Sequence, residues 1–303
     1  MPQLLLIRSE TDATAACDYI CKKGDVYMKA SLKTRMLTAV IGVPLIILIL
    51  IAPAPVITVL VAAASLIALY EYYKAVGLTD KKLLCIAGYI ASLVISLGSG
   101  FTVSASLILV YVYVLILFVI MLSSKGKVKI LDICKLALGL VYIPYFMSHI
   151  TYIRTLPYGN LYVWLVFLGA FMTDSAAYFT GTFLGKHKLC PKISPNKTIE
   201  GAIGGVLGGG LSFILYGYIV NTFFAQFIDG KSISYGLIFI LGLLVSVASQ
   251  IGDLVASYIK REYEIKDYGN LFPGHGGMLD RCDSIILVAP LIFLFLYNIS
   301  III

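Results

Sequence analysis

Charge is scarce in this chain. Only 13% of its 303 residues are Asp, Glu, Lys or Arg, about half the share in an ordinary soluble domain. Together with 60% hydrophobic residues and a mean hydropathy of +0.95, that deficit excludes a soluble globular protein. It points instead to a polytopic membrane protein built as one helical domain. Histidine is almost as rare, with three in the chain, and no Cys/His spacing suits zinc. The six cysteines, at 17, 21, 85, 134, 190 and 282, form no CxxC pair or regular framework. That excludes a disulfide scaffold and leaves reduced, structural thiols. A P-loop is missing too: GTFLGK at 181 to 186 is too short, and PGHGG at 273 to 277 lacks the following Lys-Ser/Thr. Nor is a Ser-His-Asp arrangement or a reactive cysteine suggested.

What is present is a series of apolar windows, each near the ~20 residues that cross a bilayer. They fall at about 36 to 53, 56 to 73, 83 to 100, 103 to 122, 133 to 153, 161 to 184, 199 to 224, 233 to 258 and 279 to 299. The expected fold is therefore all-α, with about nine transmembrane helices. Pro53 and Pro55, GSG at 98 to 100 and PYGN at 157 to 160 punctuate the hairpins. Alternating the loops sorts 21 of the 23 Lys and Arg residues to one side, leaving only Arg154 and Lys231 on the other. The positive-inside rule then makes the N-terminus cytoplasmic and the C-terminus outside. It also accounts for the net charge of +7 without nucleic acid.

Residues 1 to 27 carry no sustained apolar stretch and do not read as a signal peptide. Met28 opens MKASLKTRMLTAVIGVPL, a more natural basic head before a first span. The expectation is a dispensable extension or an upstream translation start at 1 to 27, followed by a membrane domain at 28 to 303.

Against this apolar background the remaining charges stand out. Asp174 interrupts LVFLGAFMTDSAAYFTG and Asp253 interrupts LLVSVASQIGDLVASYIKR, at about 3 kcal/mol each on insertion scales. Gln250, Asp253, Ser257 and Lys260 make one polar stripe on a helix, which must face protein or water. Asp253 is either a structural partner, paired with Lys260 two turns on or hydrogen-bonded to another helix, or part of a metal or substrate site. Asp280 and Asp283 share a face at the start of the last span, where they could cap the helix or meet one hard cation. Asp174 stays open between a structural partner and a site member.

A second polar cluster, GKHKLCPKISPNKTIEG at 185 to 201, falls on the same side. Lys186 and Lys188 there could be simple positive-inside residues. Ser194, Asn196, Lys197 and Thr198 gather donors just before a helix N-terminus, where anions are favoured. Gly201, Gly205 and Gly209, four residues apart, read as close helix packing. His275, between two glycines, could contact phosphate or cap a neighbouring helix. Carboxylates for Mg²⁺ beside lysines, arginines and flexible glycines are the equipment of phosphoryl or nucleotidyl transfer.

These residues also carry a family resemblance. SYIKREYEIKDYGNLFPGHGGMLDRCD, Ser257 to Asp283, resembles the signature of phosphatidate cytidylyltransferases, also called CDP-diacylglycerol synthases. SPNKTIEG at 194 to 201 is similar to that family's second segment, and the likeness runs from about Met28 to the end. Cys282 departs mildly, where an aliphatic residue is usual. The resemblance implies Mg²⁺-dependent attack by the phosphate of phosphatidic acid on the α-phosphate of CTP, giving CDP-diacylglycerol and pyrophosphate. It implies that Asp253, Asp280 and Asp283 hold one or two metal ions. Lys260, Arg261, Lys266 and Arg281 would neutralise phosphates, helped by Lys197 and Ser194, with Ser257 as a phosphate donor. The expected setting is a bacterial plasma membrane with the active site cytoplasmic; a homodimer stays open. A transporter would instead place carboxylates near the midplane between repeats. A different lipid-linked CTP enzyme is the nearer alternative.

Overall fold

The computed structural model describes residues 42, 44 to 98, 103 to 272, 274 and 276 to 303. The expected extension at 1 to 27, the beginning of the first apolar window, the Ser99-Gly100 tip and His275 lie outside the described residues. Residues 44 to 51 are helical. Eight further helical segments follow the remaining windows: α1 (Ala54–Ala75), α2 (Lys82–Gly98), α3 (Val103–Ser123), α4 (Ile130–Leu140) continued by α5 (Phe146–Thr155), α6 (Gly159–Leu184), α7 (Ile199–Phe223), α8 (Tyr235–Glu262) and α9 (Leu279–Asn298). Among the described residues, six stretches are long and apolar enough to cross a membrane: Ala54–Ala75, Ser104–Ser123, Ile130–Thr155, Gly159–Leu184, Ile199–Phe223 and Tyr235–Glu262. The apolar α2 is shorter, at 17 residues. In hydrocarbon every backbone N–H and C=O must be paired within its own segment, which is why such runs form helices.

Two local departures answer to identifiable residues. Between α4 and α5 the chain makes a π turn, Val141–Tyr145, with Pro144 inside it. Proline has no N–H and its ring crowds the preceding carbonyls, so a wider turn relieves a helix that otherwise continues. Between α6 and α7 lies an antiparallel hairpin, β1 (Lys188–Cys190) and β2 (Ser194–Thr198), a small addition to the all-α expectation.

Contacts between loops separate the two ends of the molecule. At one end Lys81 pairs with Asp132, and Lys135 donates to the Val76 carbonyl at 2.9 Å while its ammonium lies 5.1 Å over the Tyr263 ring. Arg261 Nε there donates to the Ile193 carbonyl at 3.3 Å. This end gathers the lysine-rich loops. At the other end Arg154 reaches the Ala52 carbonyl at 3.1 Å, Tyr158 donates to Asp229 at 2.9 Å, and Ile233 bridges Ile302.

Helices α6, α7 and α8 press together through small residues. Gly201, Gly205 and Gly209 are all buried on α7, the close packing expected of their spacing. A Cβ at Gly209 would overlap Ser246 Oγ of α8, and one at Gly242 would come within 2.9 Å of Phe213. The Thr173 hydroxyl donates to Ser246 Oγ at 2.9 Å across the same seam. Helix α9 docks on α8 at Gly252, where a Cβ would stand 2.5 Å from the Asp283 carbonyl. On its other flank Phe293 meets His149 and Tyr152, with ring centroids 5.4 and 5.5 Å away.

Gly209→Ala should destabilise the protein by about 1–3 kcal/mol through overpacking. Gly236→Ala, with nothing within 4 Å of its new methyl, should be neutral or mildly stabilising. Thermal unfolding of both variants in detergent checks the contrast.

Candidate active site

The polar stripe of α8 faces protein throughout. Gln250 Nε2 donates to the Ala202 carbonyl of α7 at 3.1 Å. One turn on, Asp253 forms an ion pair with Lys197 of β2, and the Ser257 hydroxyl donates to Asp253 at 3.4 Å. In place of the Asp253–Lys260 pair, one of the readings the sequence left open, there are two others. Lys260 reaches forward to Asp280 at 2.8 Å, and the hairpin supplies the cation for Asp253. Short strands bent back by the turn at 191 to 193 bring Lys197 over α8, a placement no helical spacing could reveal.

A cavity of about 500 Å³ opens where these elements meet, lined among others by Asp174, Tyr178, Asn196, Lys197, Gln250 and Asp253. Asp174 is exposed to this space and feels the charges of Asp253, Lys197 and Arg281. Asp283, one turn into α9, feels those of Asp253, Lys260 and Asp174. Asp174 thus lines the same cavity as Asp253 and Lys197. Among the described residues, no three of Asp, Glu, His or Cys are gathered tightly enough to hold one metal ion between them.

Asp280 occupies a different position from its two neighbours. Only 6% exposed, it accepts from Lys260 on Oδ1, and on Oδ2 from the amides of Tyr268 and Gly277 at 2.8 and 2.9 Å. It therefore ties the end of α8 and the 263 to 278 loop to the start of α9. The Lys260 ammonium also lies 5.6 Å over the Tyr268 ring. Burial pushes the Tyr268 phenol well above its ordinary pKa, so the hydroxyl stays a neutral donor to the Ala256 carbonyl at 3.0 Å.

The remaining expected residues divide between scaffold and surface. Thr198 is the N-cap of α7, its hydroxyl accepting from Gly201 N at 3.1 Å, while Asn196 lines the cavity and Ser194 is paired with Cys190 in the hairpin. Arg261 holds the hairpin through Ile193 and the loop through the Ile265 carbonyl, at 3.3 Å each. Lys266 and Arg281 are exposed. Tyr142, in the π turn, carries a buried hydroxyl with no hydrogen-bond partner among the described residues and lies within electrostatic reach of Asp283 and Asp253. Nothing in its apolar surroundings marked it in the sequence.

A profile described as "Cytidylyltransferase family" matches residues 33–299. The chain belongs to that family. A phosphatidate cytidylyltransferase of Staphylococcus haemolyticus (strain JCSC1435) is 33% identical over 267 residues, covering 86% of this chain and 97% of the relative. One from Bacillus subtilis (strain 168) is 41% identical over 162 residues, which is 53% of this chain and 57% of that relative, so this match spans little more than half its length. One from Rickettsia bellii (strain RML369-C) is 41% identical over 167 residues, 54% of this chain and 69% of the relative. The charged residues from Asp174 to Asp283 lie wholly inside the matched stretch.

Asp280→Ala should cost about 3–5 kcal/mol, because it strands the Lys260 ammonium and two loop amides in a buried setting. A large drop in the thermal midpoint in detergent is the expected result; unchanged stability would contradict the tie.

Proposed function

We propose that this chain is a CTP:phosphatidate cytidylyltransferase, transferring CMP from CTP to phosphatidic acid and releasing pyrophosphate. The observation that carries the reading is the meeting of the hairpin, α6, α7 and α8 around one cavity at the lysine-rich end, with Asp283 of α9 within electrostatic reach of its carboxylates. Membership of the cytidylyltransferase family and the names of its relatives support it. A phosphate oxygen of the lipid attacks the α-phosphorus of CTP, a P–O–P bond forms, and the bond to the β-phosphate breaks. The nucleophile is already anionic, so no general base is required, and repulsion between anions is the main barrier.

The donor set fits a hard divalent cation such as Mg²⁺, which takes one or two carboxylates and completes its sphere with water and phosphate oxygens. Asp253 and Asp283 would hold it, with Asp280 as a third ligand if Lys260 exchanges from Oδ1 to a phosphate; a second ion would share the same carboxylates. When bound, the metal supplies charge neutralisation at the transferring phosphoryl group. The chain's own cations do the rest. Lys197 reaches the cavity from the hairpin, Lys260 and Arg281 approach from α8 and α9, and Lys266 and Arg261 meet incoming triphosphate at the rim. Asn196, Ser194, Thr198, Ser257 and His275 complete the donors toward substrate.

The membrane arrangement belongs to the same reading. Residues 28 to 303 form one catalytic domain of nine crossings in a bacterial plasma membrane, its N-terminus cytoplasmic and its C-terminus outside. CTP enters from the cytoplasm and phosphatidic acid from the membrane.

Purified protein given CTP, Mg²⁺ and phosphatidic acid should release pyrophosphate only when all three are present, with CDP-diacylglycerol as co-product. Asp283→Asn should remain folded and lose roughly 100-fold or more in kcat, the scale of removing one electrostatic stabiliser of a transition state. Release with a lipid alcohol in place of phosphatidic acid would transfer the reading to a different lipid-linked CTP enzyme.

A further inference from the structure

Glu71 sits near the C-terminal end of α1 (Ala54–Ala75), far in sequence from the charged segments of the cavity. It is 5% exposed, and among the described residues no cation pairs with it. Its carboxylate points at the start of α9. Oε1 accepts from the Met278 amide at 3.0 Å and Oε2 from the Leu279 amide at 2.8 Å, across sequence separations of 207 and 208 residues. Met278 is the N-cap of α9 and makes no side-chain cap of its own. Glu71 therefore does what a Ser or Asp cap does elsewhere, satisfying orphan amides with an anion at the positive end of a helix.

The surroundings are shaped to admit it. A Cβ added at Gly269 or at Gly277 would overlap the Glu71 carboxylate, so both sides of its berth are glycine. Asp280 follows the capped amides directly and Asp283 lies one turn further. The first turn of a helix frays most readily when its amides lack partners, and both aspartates are in or next to that turn. Gly252 fixes the other side of α9, by contact with the Asp283 carbonyl.

We infer that Glu71 is a positioning residue for the transfer reaction: it caps α9 from α1 and so fixes where Asp280 and Asp283 stand relative to Asp253 and Lys260. This role rests on the reaction proposed above. Glu71 touches neither substrate, and acts through the backbone of Met278 and Leu279.

Glu71→Gln tests it sharply. Both carboxylate oxygens accept, so either orientation of the amide turns an NH₂ group against a backbone N–H. Gly277→Ala attacks the same contact from the other side. Hydrogen–deuterium exchange of the full-length protein in detergent should quicken about tenfold or more at amides 278 to 284 in both variants, with α6 to α8 retaining wild-type protection. With CTP, Mg²⁺ and phosphatidic acid, kcat should fall roughly tenfold or more through misplacement of reacting groups. KM for CTP should change far less, because the cavity residues of β2 and α6 are untouched. Unchanged exchange at 278 to 284 in both variants would overturn the cap. Faster exchange with wild-type kcat would overturn the positioning role. Absence of turnover by the wild-type protein would overturn the proposed reaction and the positioning role with it, while the exchange result would still decide the cap.

Discussion

The contact between Lys260 and Asp280 organises the charged end of this protein. A buried ion pair on its own repays little of its desolvation, but here the carboxylate also accepts two backbone amides, so both of its oxygens are used. Through that one side chain the end of α8, the 263 to 278 loop and the first turn of α9 become a single unit. Asp253 and Asp283 project from the two helices so joined, and the cavity lies beside them.

Around this unit several helix carboxylates follow the rule that hydrocarbon imposes on charge, that it be paired or turned toward a polar space. Asp253 meets Lys197, Asp132 meets Lys81, and Asp174 faces the cavity. Glycine makes the geometry available. Gly252 lets α9 approach α8 at the very turn that carries Asp253 and Asp283, and the glycine face of α7 draws α6 and α8 close enough for Asp174 and Asp253 to sense one another. Close helix packing and a concentrated site are here the same fact.

The helices were legible in the sequence because a run of about 20 apolar residues has one way to satisfy its backbone in lipid. The polar stripe from Gln250 to Lys260 was legible for a similar reason, since four polar residues on one helix face must find protein. The partners were not. Helical spacing offered Lys260 to Asp253, whereas the true partner, Lys197, is delivered by strands of three and five residues, too short to show an alternating pattern. Asp280 and Asp283 share a helix face, yet the loop amides claim the first, while the second accepts from the adjacent Ser284 amide. Glu71 gave no signal at all, because a lone carboxylate near the end of an apolar helix reads as a solvated terminus. Its meaning depends on residues some two hundred positions later.

The π turn at Val141–Tyr145 has a consequence of its own. A regular helix advances roughly 100° per residue, so the wider turn offsets the angular phase of α5 against α4. The two halves of one crossing thereby present independently set faces. The half at the lysine-rich end offers Ile133, Leu136 and Leu140 to the core, and the half beyond the turn offers His149 and Tyr152 to Phe293. Removing a single residue from that turn would restore ordinary winding and rotate one half against the other. This stretch of the chain is therefore far less tolerant of a change in length than of a change in side chain.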